Sequence, residues 1–196
     1  MTNKTRIDVM IDLETLGTDF NAPIFQIAAA GFDIASGDII LTFDECADIQ
    51  ELTPQDGTIN GSTLKWWLDT NPELLAKLLG QGDLTPYDLL EMFHRWLDDL
   101  TMKYDEVYLW GNGILFDNAI IRYKFEGYGW KYPIFYRNDR DVRTIFELAQ
   151  HKTGESAKEM YDRIYDKELV AHDAMNDVNN QVALVTECYQ ILTNGK

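Results

Sequence analysis

From Ile7 to Glu14 apolar and polar residues alternate almost one for one, with Ile7, Val9, Ile11 and Leu13 set against Asp8, Met10, Asp12 and Glu14. A period of two is the signature of a β-strand. This strand ends on two carboxylates that share a face, ~7 Å apart along the chain. The bland reading is a solvated strand end. Two further acidic segments weigh against it. Asp117 follows the short apolar run Val107–Trp110 and the glycine-broken turn Gly111-Asn112-Gly113, and His172 and Asp177 stand at H-x4-D spacing where the last helix opens. Crowded carboxylates disfavour joint ionisation. Divalent cations remove that penalty, and phosphodiester cleavage needs such cations at the attacking and leaving oxygens.

The remaining pattern predicts one mixed α/β domain over residues 1–196. Ile24–Ile34 and Ile39–Cys46 read as strands joined by the tight turn Ser36-Gly37-Asp38, so the first three strands form an antiparallel meander. Ser62 is expected to cap a short helix carrying Leu64, Trp66, Trp67 and Leu68, and Pro72 to begin another through Leu79. Thr85-Pro86 opens a longer amphipathic helix with Leu89, Leu90, Phe93, Trp96, Leu97 and Leu100 on its stripe. A helix from about Asp117 to Phe125 follows the Val107–Trp110 strand, and Asp141 caps the next. Residues 153–169, charged and weakly periodic, read as a mobile loop with a short helix. In the last helix Val178, Val182, Val185, Tyr189 and Leu192 recur at steps of four and three. Asp173 is the expected N-cap there, leaving His172 just outside and Asp177 one turn in.

A net charge of −16 argues against a protein that coats long stretches of nucleic acid, because phosphate neutralisation drives such binding. It allows an enzyme that grips one strand end through cations and a few contacts. No apolar stretch approaches the roughly 20 residues of a membrane span. The acids Asp8, Asp12 and Glu14 rule out a signal-peptide core after the basic start, so a cytoplasmic location is expected, in a bacterium or a phage-infected cell. Cys46 and Cys188 have no metal-ligand spacing and read as reduced, buried thiols. His94 and Asp99 repeat the H-x4-D spacing but fall in mid-helix, ahead of Asp117, and His151 has no partner at useful spacing.

The segments Asp12-Leu13-Glu14-Thr15-Leu16-Gly17, Gly111 to Asn118 and His172 to Asp177 resemble the three motifs of the DEDDh (DnaQ-like) 3′–5′ exonucleases. That family includes the proofreading subunit of DNA polymerase III, ribonuclease T and oligoribonuclease. The Ser62–Trp67 stretch is most similar to the small stand-alone branch of phage DexA-type exodeoxyribonucleases and bacterial exoribonucleases. The tyrosine class of the superfamily needs a tyrosine four residues before the last aspartate, where this chain has Asp173.

The resemblance implies a ribonuclease H-like α/β fold, a mixed central sheet in which an antiparallel three-strand meander is extended by parallel strands and flanked by helices. It also implies two Mg²⁺ or Mn²⁺ ions. Asp12 would bridge them, Glu14 and Asp177 would complete the first set of ligands, and Asp117 would support the second through water. His172 would be the general base for the attacking water. Thr15, Leu16, Trp66 and Trp67 are the substrate contacts it suggests, with Leu16 as an apolar wedge and one tryptophan stacked on the terminal base. Adjacent helical tryptophans cannot face the same way, so one of them belongs to the core. Arg122, Lys124, Arg137, Arg140 and Arg143 read as a solvated face rather than as phosphate contacts.

The expected activity is release of 5′-mononucleotides from single-stranded 3′ ends, with DNA favoured slightly over RNA. An exoribonuclease of the same fold is the alternative. An endonuclease of this fold and a non-catalytic acidic mimic of DNA are the remaining rivals. The aromatics between Tyr128 and Tyr136 are candidates for a homodimer surface.

Overall fold

The computed structural model describes residues 5–194. Five strands form one mixed sheet in the order β3-β2-β1-β4-β5. Strand β1 (Arg6–Thr15) pairs antiparallel with β2 (Ile24–Phe32), which pairs antiparallel with β3 (Ile39–Cys46). On the other side β1 runs parallel to β4 (Glu106–Gly111), and β4 parallel to β5 (Asp139–Asp141). The meander and the added parallel strands are as the sequence and the resemblance imply. The three-residue β5 was not foreseen, because Asp-Arg-Asp has no apolar pattern to reveal a strand.

Helices cover both faces. Ile7, Val9, Ile11 and Leu13 pack with α3 (Pro86–Lys103) and α4 (Asp117–Gly127) around Leu89, Phe93, Ile120 and Phe125. Met10, Ala28, Ala30 and Phe32 pack on the other side with α5 (Val142–Thr153), α6 (Ala157–Ile164) and α7 (Ala174–Thr193). A third cluster joins Leu16, Phe25 and Trp67 to α2 (Pro72–Gln81) and α1 (Gly61–Thr70). The polar face of β1 is therefore covered rather than solvated. Asp8 is buried there because Arg6 and the Trp110 indole N–H, at 2.7 Å, both donate to its carboxylate.

Several boundaries shift. Asn60, not Ser62, caps α1, its side chain accepting from the Ser62 and Thr63 amides. Residues 153–169 hold a full two-turn helix, α6, fixed by the Ser156–Glu159 capping box and by Arg163 pairs to Glu155 and Glu187. Asp173 occupies the N-cap position of α7 without a side-chain capping bond, its carboxylate lying 3.5 Å from Lys77. Cys188 is buried, whereas Cys46 is only half-buried.

Candidate active site

Pairing between β1 and β4 stops at Met10↔Trp110, while β1 runs on to Thr15. The last residues of β1 thus line a notch at the carboxyl end of the parallel strands, where open α/β sheets bind ligands. Asp12 and Glu14 both project on the α7 side of the sheet, paired in register with Ala28 and Gln26.

The chain leaves β4 at Gly111, and a side chain there would be forced against α4. A Cβ on Gly111 would stand 2.4 Å from Asn118 Oδ1 and 3.4 Å from Asp117 Oδ2. The missing side chain lets α4 start directly against the strand, with Asp117 in its first turn. Gly113 follows at φ 112°, a conformation that costs glycine little. Asn118 Nδ2 then donates to Leu109 O at 3.2 Å and Asp139 Oδ1 at 2.8 Å, stapling the helix start to β4 and to the β5 edge.

The third segment is held by residues the motifs do not announce. Gln26, buried beside Glu14 in the register, accepts the Ala174 amide at 3.2 Å through its side chain and so docks the first turn of α7 on β2. Gln181, one turn beyond Asp177, donates Nε2 to Asp12 Oδ1 at 2.9 Å. Neither could be singled out from sequence, since an isolated glutamine carries no periodic signal. His172 lies at φ 67°, and its amide donates to Asp177 Oδ2 at 3.0 Å. The Trp66 ring meets the imidazole edge-on at 5.0 Å between centroids.

Glu14, His172 and Asp177 each offer one ligand atom, all within 4.8 Å of one another. Among the described residues no Lys or Arg pairs with Asp12, Glu14 or Asp177. Burial first, then the charges of Asp12, Asp177 and Asp117, pushes the Glu14 carboxyl up to about 10. Burial followed by Asp117 and Asp177 raises Asp12 well above the carboxylate range, and burial raises Asp177 in turn. Asp117 rises to about 7, again through burial, although backbone N–H groups and Arg143 hold it down. Such a cluster is costly alone and fits hard divalent cations, which favour oxygen donors.

Beside it lies a cavity of about 430 Å³ lined by Glu14, Thr15, Thr18, Thr63, Trp66 and Trp67 among others. Trp67 is the core tryptophan, 1% exposed, its indole N–H bonded to Thr15 O at 3.2 Å, while Trp66 is 44% exposed at the cavity wall. Leu16, expected as a wedge against the terminal base, is 1% exposed and packed on Phe25 and Trp67. It does not line the cavity, and the pairing of β1 with β2 shifts register just before it, between Glu14 and Thr15, with Phe25 of β2 left out of the ladder. Thr15 is also tied down, its hydroxyl donating to Gly17 O at 2.7 Å. Lys124, expected on a solvated face, is instead buried, because its ammonium donates to Asn21 Oδ1 and Asp56 O inside the fold. Burial lowers its pKa to about 8.

Comparison with known proteins matches residues 7–189 to the family described as 3′-5′ exoribonuclease Rv2179c-like domain. The exodeoxyribonuclease of Enterobacteria phage T4 is 22% identical over 205 residues, spanning 91% of this chain and 87% of the phage protein. Among solved structures, cell-death related nuclease 4 superposes with a TM-score of 0.67 at 18% identity, over 94% of this chain and 64% of that one. The nuclease domain of 3′hExo, a DEDDh family member bound to rAMP, gives 0.63 at 15% identity, over 99% and 94%. E. coli exonuclease I in complex with single-stranded DNA gives 0.67 at 15% identity, over 98% of this chain but 42% of its own. The chain thus spans less than two thirds of the first and last of these structures. The fold is the ribonuclease H-like fold of DEDDh exonucleases. No helix among the described residues is long and apolar enough to cross a membrane.

Proposed function

Because the chain belongs to the 3′-5′ exoribonuclease Rv2179c-like domain family, a branch of the DEDDh 3′–5′ exonucleases, we propose that it removes 5′-mononucleotides one at a time from single-stranded 3′ ends. The observation that carries this reading is the Glu14–His172–Asp177 cluster, with ligand atoms within 4.8 Å, opening beside the Trp66 cavity. DEDDh exonucleases use divalent metal ions. In this reading Asp12, Glu14, Asp117 and Asp177 hold two of them, Mg²⁺ or Mn²⁺, which when bound stabilise charge on the attacking and leaving oxygens of the phosphodiester.

The side chains supply the rest. Gln181 fixes one oxygen of Asp12 by donating to it. Such supporting bonds set ligand orientation and affinity. His172 accepts the proton of the attacking water at a ring nitrogen, a task suited to an imidazole near neutral pH. Its position is set by the Asp177–amide bond and by the edge of Trp66. Trp66 is the side chain exposed to stack on the terminal base, with Trp67 as the buried support beneath it.

DNA is the substrate this reading favours, supported by the phage exodeoxyribonuclease that aligns along nearly the whole chain. RNA is the second reading, supported by the exoribonuclease description of the family. A 2′-hydroxyl is all that separates the two at a given contact. Matched 3′-end DNA and RNA strands, and a circular single strand, incubated with Mn²⁺ test both. Mononucleotides from linear strands alone are expected, faster from DNA. Cleavage of the circle would instead mean an endonuclease, and no product at all would sink the enzymatic reading.

A further inference from the structure

Acids outnumber Lys and Arg by 33 to 17, and eight of the described Lys and Arg residues pair with a carboxylate. Arg95, Arg122, Lys158 and Arg163 are among them. Lys131, Arg137, Arg140 and Arg143 form no ion pair among the described residues; Lys103 and Lys152 are likewise unpaired but stand apart from one another in the sequence. The first four fall between Arg122 and Arg143, a stretch with six of the 17 cations and three of the 33 acids. Leaving cations unpaired beside so many acids concentrates positive potential on one strip of the molecule.

The strip begins at the candidate active site. The Arg143 guanidinium lies 3.0 Å from where a Cβ on Gly113 would stand, and its charge acts on Asp117. Three residues back, Arg140 lies over the Tyr108 ring at 4.4 Å and donates to Arg137 O at 2.8 Å. Arg137 in turn donates to the Tyr136 hydroxyl at 2.8 Å. Tyr136 and Phe135, 62% and 58% exposed, meet edge-on at 4.7 Å. With Lys131 they border a groove of about 410 Å³. The path runs along β5, the short edge strand of the sheet.

We propose that this strip is the track for the upstream part of the substrate strand, a surface outside the cleavage pocket. Phosphates lie against Arg143, Arg140, Arg137 and Lys131, and bases stack on Phe135 and Tyr136. This reverses the solvated-face expectation for these arginines, and it rests on the exonuclease reading for the direction of the strand. Charge complementarity selects the occupant, because phosphates satisfy cations that the protein's own acids leave unpaired, and exposed aromatics accept bases without regard to sequence.

The test measures binding and cleavage separately. With Ca²⁺ in place of Mg²⁺, fluorescence anisotropy follows a labelled strand of about 20 nucleotides, longer than the ~4–16 nucleotides such surfaces usually occupy. Removing two phosphate contacts in Lys131→Ala/Arg137→Ala should lower the slope of log affinity against log salt by about 1.4, at roughly 0.7 per contact on a single strand. Affinity at 0.1 M salt should then fall by about 25-fold. With Mg²⁺, the ratio of kcat/KM for the long strand to that for a trinucleotide should fall similarly. Phe135→Ser/Tyr136→Ser should lower the same ratio with the salt slope unchanged, which separates stacking from charge.

An unchanged slope and ratio in Lys131→Ala/Arg137→Ala would overturn the track while leaving the exonuclease reading intact. Should that variant also convert a dimer to a monomer on sedimentation, the face belongs to a second copy of the chain. Salt-dependent binding by the strip without release of mononucleotides from any strand would leave the track standing and remove the exonuclease reading.

Discussion

Asp177→Asn should make the metal-free protein more stable and the enzyme inactive. In the folded chain Glu14 and Asp177 offer atoms within 4.8 Å of each other. Two ionised carboxylates that close repel by about 3 kcal/mol at an effective dielectric of ~20. Partial protonation and the half-exposed position of Asp177 reduce what is realised to roughly 1–2 kcal/mol. Asparagine keeps an oxygen to accept the His172 amide, so the local backbone geometry survives the substitution.

The sign of the pH dependence follows from Glu14. Burial and then its acidic neighbours push its carboxyl up to about 10, so the folded chain keeps a proton that the unfolded chain has already released. That contribution is complete below the unfolded value near 4.5 and drains away as pH climbs toward 10. The variant, with one repelling charge fewer, should lose less over that window. Calorimetry in EDTA should show a melting temperature roughly 3–6 °C above the parent at pH 8, and a smaller gap at pH 5. Saturating Mn²⁺ should raise the parent far more than the variant, because cations bind only the assembled cluster. A variant that melts lower than the parent in EDTA at pH 8 would refute the argument that these carboxylates are crowded for cation binding.

His172→Ala should slow cleavage by roughly 10²–10⁴-fold while leaving Mn²⁺-induced stabilisation largely in place, the usual share of a general base; full activity across pH would remove the assignment. Gln181→Met, which deletes the donor to Asp12 Oδ1, should weaken Mn²⁺ binding by about 10–100-fold in a calorimetric titration. Gly111→Ala should destabilise the fold by about 1–3 kcal/mol in urea unfolding and lower kcat, since the added methyl would stand 2.4 Å from Asn118 Oδ1.

Local order wrote much of this protein into its sequence. Alternation along Ile7–Glu14 placed Asp12 and Glu14 on one face of β1, and that needs only the two-residue period of an extended chain. Apolar steps of three and four gave α3 and α7, and the acids and histidine that open or precede α4 and α7 stood out by their spacing together with their place at predicted helix starts. Tertiary structure decided what depends on partners distant in sequence. It buried Asp8 under Arg6 and Trp110, turned Leu16 into the core, chose Trp67 over Trp66 for burial and sank Lys124 between Asn21 and Asp56. Gln26 and Gln181 joined the site because α7 crosses the sheet beside β1 and β2, a docking set by burial of apolar surface that no local period encodes. The unpaired cations likewise emerge only in space, since which charges find partners is fixed by how the folded surfaces meet.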